Sequence, residues 1–297
     1  MTIINEKISF NRQILLLLCC SLFFLALNTI VSTIMIQLGG LTVATMRISI
    51  VLQNLIAMTL PALITAVLIS RNPIKLFCLD KLPKWQDLVF MLLIIVSSLP
   101  AMNWLVEWNA NISLPESMSH IEEVLRTMEN EAEEFTKMLL INDSIYSLIV
   151  TILAVGVFTG FGEEILFRGT LQRVIELKKV NIHVAIWLTA FIFSAVHLQF
   201  FGFFPRMILG AFFGYMLWWS KSLWLPIIAH ALNNSSVIIN SYIYGLEDLE
   251  NMNTIGIEQT GSFPTLAIVS VLVTVVWVNL YVVWNKRRRL LADNSEK

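Results

Sequence analysis

The chain has 297 residues, 57% of them hydrophobic and 14% charged, with a mean hydropathy of +0.74 and a formal net charge of −1. So little charge over such a length excludes a soluble domain and indicates a polytopic membrane protein. The near-neutral balance gives no footing for a nucleic-acid partner.

Eight apolar segments follow one another, at 14–38, 48–69, 88–106, 145–167, 183–201, 205–219, 223–244 and 263–284. Each comes near the ~20 apolar residues that cross ~30 Å of hydrocarbon, the sixth being short. The first run is too long for the core of a cleavable signal and lacks a small-residue cleavage site, so it reads as a span. Cys19, Cys20 and Cys78 have no metal-ligand spacing and read as apolar filler. With both termini in the cytoplasm, 16 of the 20 lysines and arginines fall inside. Only Arg47, Arg126, Lys137 and Arg206 fall outside. That bias alternates correctly at every loop, so eight spans with N-in and C-in termini support each other. The expected fold is therefore an all-α membrane helix bundle forming one domain over 1–297, integral to the plasma (cell inner) membrane and in contact with its lipid. Its chemistry-bearing core lies at about 145–244.

One long loop, 107–143, is external and acidic. Ser119 and Glu122 have the spacing of a capping box. Ile121, Val124, Leu125, Met128, Ala132, Phe135 and Leu139 then recur at helical spacing, which predicts an amphipathic helix at about 118–140. Glu129, Glu131, Glu133 and Glu134 fall on or near its wet side. The expectation is a helix lying over the outer mouth of the bundle.

Ionisable residues inside spans are costly and normally line a working cavity. Here they are Glu163, Glu164 and Arg168 in the fourth span, His197 in the fifth, and His230 with Asn234 in the seventh. Glu164 and Arg168 stand four apart on one helix face, which suits a buried ion pair. Glu163 has no such neighbour, and an unpaired carboxylate in a dry cavity suits general base or acid work. Glu163 and His197 each lie 15 residues, or ~20 Å, from the same cytoplasmic loop along antiparallel helices. His230 and Asn234 share a face about 10–17 Å from their own cytoplasmic end. Three helices thus bring these side chains toward one buried point. Phe193 lies one turn before His197 on the same face. The glycines at 156, 160, 162, 210 and 214 need only helix packing to explain them. His183 reads as interfacial and His120 as solvated.

The segments Glu163-Glu164-Ile-Leu-Phe-Arg168, Phe193-Ser-Ala-Val-His197 and His230-Ala-Leu-Asn-Asn234 resemble the motifs of the CPBP family. That family comprises membrane proteases including the type II CAAX prenyl proteases and bacteriocin-processing or immunity proteins. The likeness covers mainly 155–237. It implies that Glu163 and His197 activate a water while His230 and Asn234 hold the oxyanion of a peptide substrate, with Glu164, Arg168 and Phe193 in support. No cofactor is favoured. Zinc, held by Glu163, His197 and His230, is the alternative, although no His-Glu-x-x-His motif occurs. Two other functions stay open: a non-catalytic immunity or scaffold protein on the same fold, and a proton-coupled transporter. The transporter would more often show internal repeats and broken helices.

Overall fold

The computed structural model describes residues 8–178, 180–245 and 264–295, and no strand occurs among them. Lys7, Lys179 and Lys297, counted above as inside charges, and Phe263, the start of the last expected span, lie outside the described residues.

Among the described residues ten helices follow in order, besides two short 3-10 turns. They are α1 (Phe10–Gly39), α2 (Val43–Ile69), the short α3 (Pro73–Leu76), α4 (Trp85–Ala110), α5 (Ser119–Leu140), α6 (Ile145–Glu176), α7 (Ile182–Ala195), α8 (Phe203–Ser220), α9 (Trp224–Tyr244) and α10 (Thr265–Ser295). Their ends follow local chemistry. Asn72 caps α3, its side-chain oxygen accepting from Lys75 N at 3.1 Å ahead of Pro73 at the first position. Gly245, at φ +85°, closes α9.

The protein is thus a polytopic bundle of helices. Among the described residues, six segments are long and apolar enough to cross a membrane: Phe10–Gly39, Val43–Ile69, Trp85–Ala110, Ile145–Glu176, Phe200–Ser220 and Thr265–Arg288. Each of the eight apolar segments coincides with a helix. The fifth differs from its expected bounds, because α7 stops at Ala195 after 14 residues. His197 therefore stands in a turn, and Leu198, in the left-handed region at φ +57°, reverses the chain toward α8.

Packing sets the register around the site. α6 runs along α9, α7 along α8, α4 along α10 and α1 along α2. A Cβ on Gly160 would come within 2.9 Å of the Ala231 backbone nitrogen, so only glycine allows α6 and α9 this close. Arg168 donates to Gly210 O at 2.9 Å, and Gln172 to Gly214 O at 3.3 Å. Residue numbers rise together across these two rungs, so α6 and α8 run in the same direction.

Three π-helical turns widen the helices near the site, at Asn54–Thr59 in α2 and at Ile152–Phe158 and Ile165–Gln172 in α6. At each, a threonine hydroxyl reaches back five residues: Thr59 to Asn54 O at 2.8 Å, Thr159 to Ala154 O at 3.4 Å and Thr170 to Ile165 O at 3.0 Å. These bonds occupy carbonyls that the wider turn loosens from the usual ladder.

The amphipathic helix α5 forms as its periodicity predicts, but two details are corrected. Ser119 is its first residue and makes no capping bond; a turn at Glu116–Met118 leads into the helix. Glu122 instead accepts from Leu114 N at 2.8 Å and pairs with Arg126. Glu129, expected on the wet side, docks inward. Its two oxygens accept from the Gln199 amide at 3.3 Å and from Phe201 N at 3.2 Å. Arg126 also stacks its guanidinium 4.1 Å from the Phe201 ring. At the other end Arg47 donates to Ile141 O at 2.8 Å, Asn142 Oδ1 at 3.0 Å and Ser147 Oγ at 3.0 Å. The helix is fastened along its length over the turn that carries His197.

Of the other residues read from sequence, His183 meets the Tyr215 hydroxyl at 2.7 Å, and the His120 side chain is 89% exposed. All three cysteines are free.

Candidate active site

The site is built on α6, the end of α7, α8 and α9. Glu164 is fully buried, and its Oε1 accepts from Arg168 Nη1 at 2.7 Å and from His230 Nδ1 at 2.9 Å. Arg168, also fully buried, completes its packing against Gly210 O and the rings of Phe193 and Phe213, at 4.4 and 5.4 Å. A Cβ on Gly210 would sit 3.0 Å from both the arginine Nη2 and the Phe193 ring, so this glycine makes room for the guanidinium. An arginine so deep needs such compensation, because removing two charges from water costs several kcal/mol per ion (order of magnitude).

Adjacent glutamates on a helix diverge, yet here both reach one imidazole. Glu164 takes the Nδ1 side of His230, and Glu163 Oε2 lies 3.8 Å from its Nε2. His230 is 5% exposed and is held by a stack on Phe213, with centroids 5.0 Å apart at 22°. Glu163 keeps 12% of its side chain exposed. His197 Nδ1 meets Phe193 O at 2.7 Å, and its ring packs edge-on to Phe193 at 5.1 Å. A carbonyl can only accept, so His197 donates from Nδ1, and in the neutral ring Nε2 carries the lone pair. His197 stands within Coulombic reach of Glu163, His230 and Arg206.

Glu163, Glu164, Arg168, Phe193, His197 and His230 therefore form one connected cluster. Asn234 is tied differently: its amide donates to Val155 O on α6 at 3.3 Å, and its Oδ1 accepts from Asn233 at 3.4 Å. Among the described residues no three His, Cys, Asp or Glu side chains are grouped as a metal ion requires, so Glu163, His197 and His230 are not assembled as a ligand set.

Three contributors were not singled out from sequence. Phe213 showed only as an apolar residue between two glycines. Glu129 showed as a solvated acid and Arg206 as an external cation. Glu129 is 70 residues from Gln199, Phe213 is 17 from His230 and Arg206 is 7 from Gln199. No local spacing rule marks such pairings.

A buried ion pair and two histidines thus sit together inside a bundle that has helices of membrane-spanning length. Residues 145–236 match the family model described as type II CAAX prenyl endopeptidase Rce1-like. That stretch, which carries Glu163, Glu164, Arg168, His197, His230 and Asn234, is thus similar to a family of endopeptidases. No curated protein and no solved structure matches the chain.

Proposed function

We propose that the chain hydrolyses a peptide bond of a membrane-associated substrate with a water activated by Glu163 and His197. One observation carries this reading: each histidine donates its Nδ1–H to a fixed oxygen, Phe193 O or Glu164 Oε1, and keeps Nε2 for the reaction. Glu163 takes a proton from water, and the hydroxide adds to the carbonyl carbon. His230, when doubly protonated, gives Nδ1–H to Glu164 and Nε2–H to the developing oxyanion. The free hydrogen of the Asn234 amide supplies a second donor. The C–N bond then breaks as the proton passes to the leaving amine, with His197 Nε2 serving as the relay. Glu164 and Arg168 orient His230, and Phe193 fixes His197. The whole chain acts as one domain with cytoplasmic termini in the plasma membrane, and lipid contacts its apolar flanks.

The test is proteolysis of membrane-proximal peptides by detergent-purified protein and its Glu163→Gln variant, each with and without a zinc chelator. General acid–base groups contribute about 10²–10⁴-fold, so the variant should lose at least ~100-fold in kcat while melting at the same temperature. Cleavage by the variant at the wild-type rate would end the glutamate assignment. Cleavage abolished by chelation and restored by zinc would replace it with metal catalysis. A folded wild type that cleaves nothing while Glu163→Gln leaves every phenotype intact would favour a scaffold.

A further inference from the structure

Arg206, in the first turn of α8, has no role in the reaction above, yet it borders the site. Its Nη2 donates to Gln199 Oε1 at 2.8 Å, and Gln199 in turn donates to Glu129. The guanidinium lies against Gly202, where a Cβ would meet Nη2 at 3.1 Å. The arginine is therefore held in place by the turn that carries His197 and, through Gln199, by α5. Its Nη1 is buried and has no hydrogen-bond partner. Two carboxylates, Glu129 and Glu163, lie within Coulombic reach. Neither is hydrogen-bonded to it: Glu129 is occupied by Gln199 and Phe201 N, and Glu163 faces His230.

A buried N–H without a partner is unfavourable, and the planar fork of a guanidinium matches the two oxygens of a carboxylate, the acceptor that a peptide carries. Arg206 is bonded to Gln199, two residues past His197 in the same turn, and extended peptide advances ~3.3 Å per residue, so a substrate crossing the site near His197 passes this border. We propose that Arg206 is a substrate-specificity residue that receives a carboxylate of the bound peptide, either its C-terminus or an acidic side chain, next to the bond being cut. This rests on the hydrolase reading above.

The experiment uses the full-length protein in detergent and one fluorescent membrane-proximal peptide in three forms: unmodified, C-terminally amidated, and with its acidic side chains changed to amides. Affinity is read by anisotropy and turnover by cleavage, for wild type, Arg206→Gln and Arg206→Lys. A charge-assisted bond of this type is worth roughly tenfold to hundredfold in affinity. Wild type should prefer the unmodified peptide by that factor over one of the other two forms, and the form that weakens identifies the source of the carboxylate. Arg206→Gln should bring the ratio close to one, mainly through KM, and Arg206→Lys should keep part of it. Equal binding of all three forms by wild type would overturn the proposal, as would a preference that survives in Arg206→Gln. A uniform loss of affinity and melting temperature for every form would also overturn it, by assigning Arg206 to holding the turn. Because the anisotropy is independent of turnover, these outcomes remain separate from the Glu163→Gln result that decides the hydrolase reading.

Discussion

Glu164 and Asp87 are both buried carboxylates, 0% and 1% exposed, and each meets an arginine and a ring. Asp87, at the start of α4, has every oxygen engaged. Oδ2 accepts from Lys84 N at 2.8 Å and Arg288 at 3.1 Å, and Oδ1 from the Tyr281 hydroxyl at 2.8 Å. Arg288 continues to Asn285 at 2.6 Å. This cluster staples α4 to α10, with both Asp87 oxygens engaged and Asn285 Nδ2 at its edge buried without a partner. The Glu164 cluster is unfinished: Glu164 Oε2 and Arg168 Nε are buried without partners, and both histidines keep Nε2 out of the structural bonds. Similar residues thus make a staple where the carboxylate's hydrogen-bonding capacity is used up, and a candidate reactive site where some of it is withheld.

The largest effect should come from Arg168→Ala, which strands Glu164 as a buried charge and costs about 3–5 kcal/mol. Thermal unfolding in detergent reads it, and an unchanged melting temperature would contradict the structural role given to the pair. Asp87→Asn should cost less, about 2 kcal/mol, because Arg288 keeps 20% of its side chain exposed and can turn to water. It should leave cleavage intact, and a loss of activity equal to that of Glu163→Gln would erase the distinction between staple and site. The smallest effect concerns Glu122 at the mouth of α5. The Leu114 N–H, and then Arg126, hold its carboxyl below the ordinary 4.5. A depressed folded value means that the stabilisation is present above the ordinary carboxylate range and fades as pH falls through the depressed value. The Leu114 amide resonance should therefore be constant at neutral pH and shift only in acid, and Glu122→Gln should abolish that shift. A midpoint above 4.5 would reverse the sign.

Much of the fold was legible because apolar length is a local property. The runs that became α1, α2, α4, α6 and α10 needed no partner to be recognised. The motif residues were legible for a related reason: lipid tolerates no idle charge, so Glu163, Arg168, His197 and His230 stand out wherever they fall. The pairing of Glu164 with Arg168 followed from helical spacing alone. What spacing could not give was the second bond of Glu164. It joins residues 66 apart, and the contact depends on Gly160 letting α9 approach.

The turn after α7 was hidden for the opposite reason. Phe193 to Phe201 reads as the end of one membrane span, yet Ser194 donates to Phe203 O at 2.7 Å, Leu198 takes a left-handed conformation, and Glu129 of α5 satisfies Phe201 N. Ending a helix early inside a membrane protein leaves backbone groups that need partners, and those partners come from a distant segment. The sequence by itself determined a helical membrane bundle, the polar residues inside its apolar segments and the Glu164–Arg168 pair, because burial cost and helical period act over one turn. Tertiary structure alone decided which nitrogen of each histidine is engaged, where α7 stops, and that Glu129 and Arg206 belong beside the site, because those outcomes depend on contacts between helices far apart in the chain.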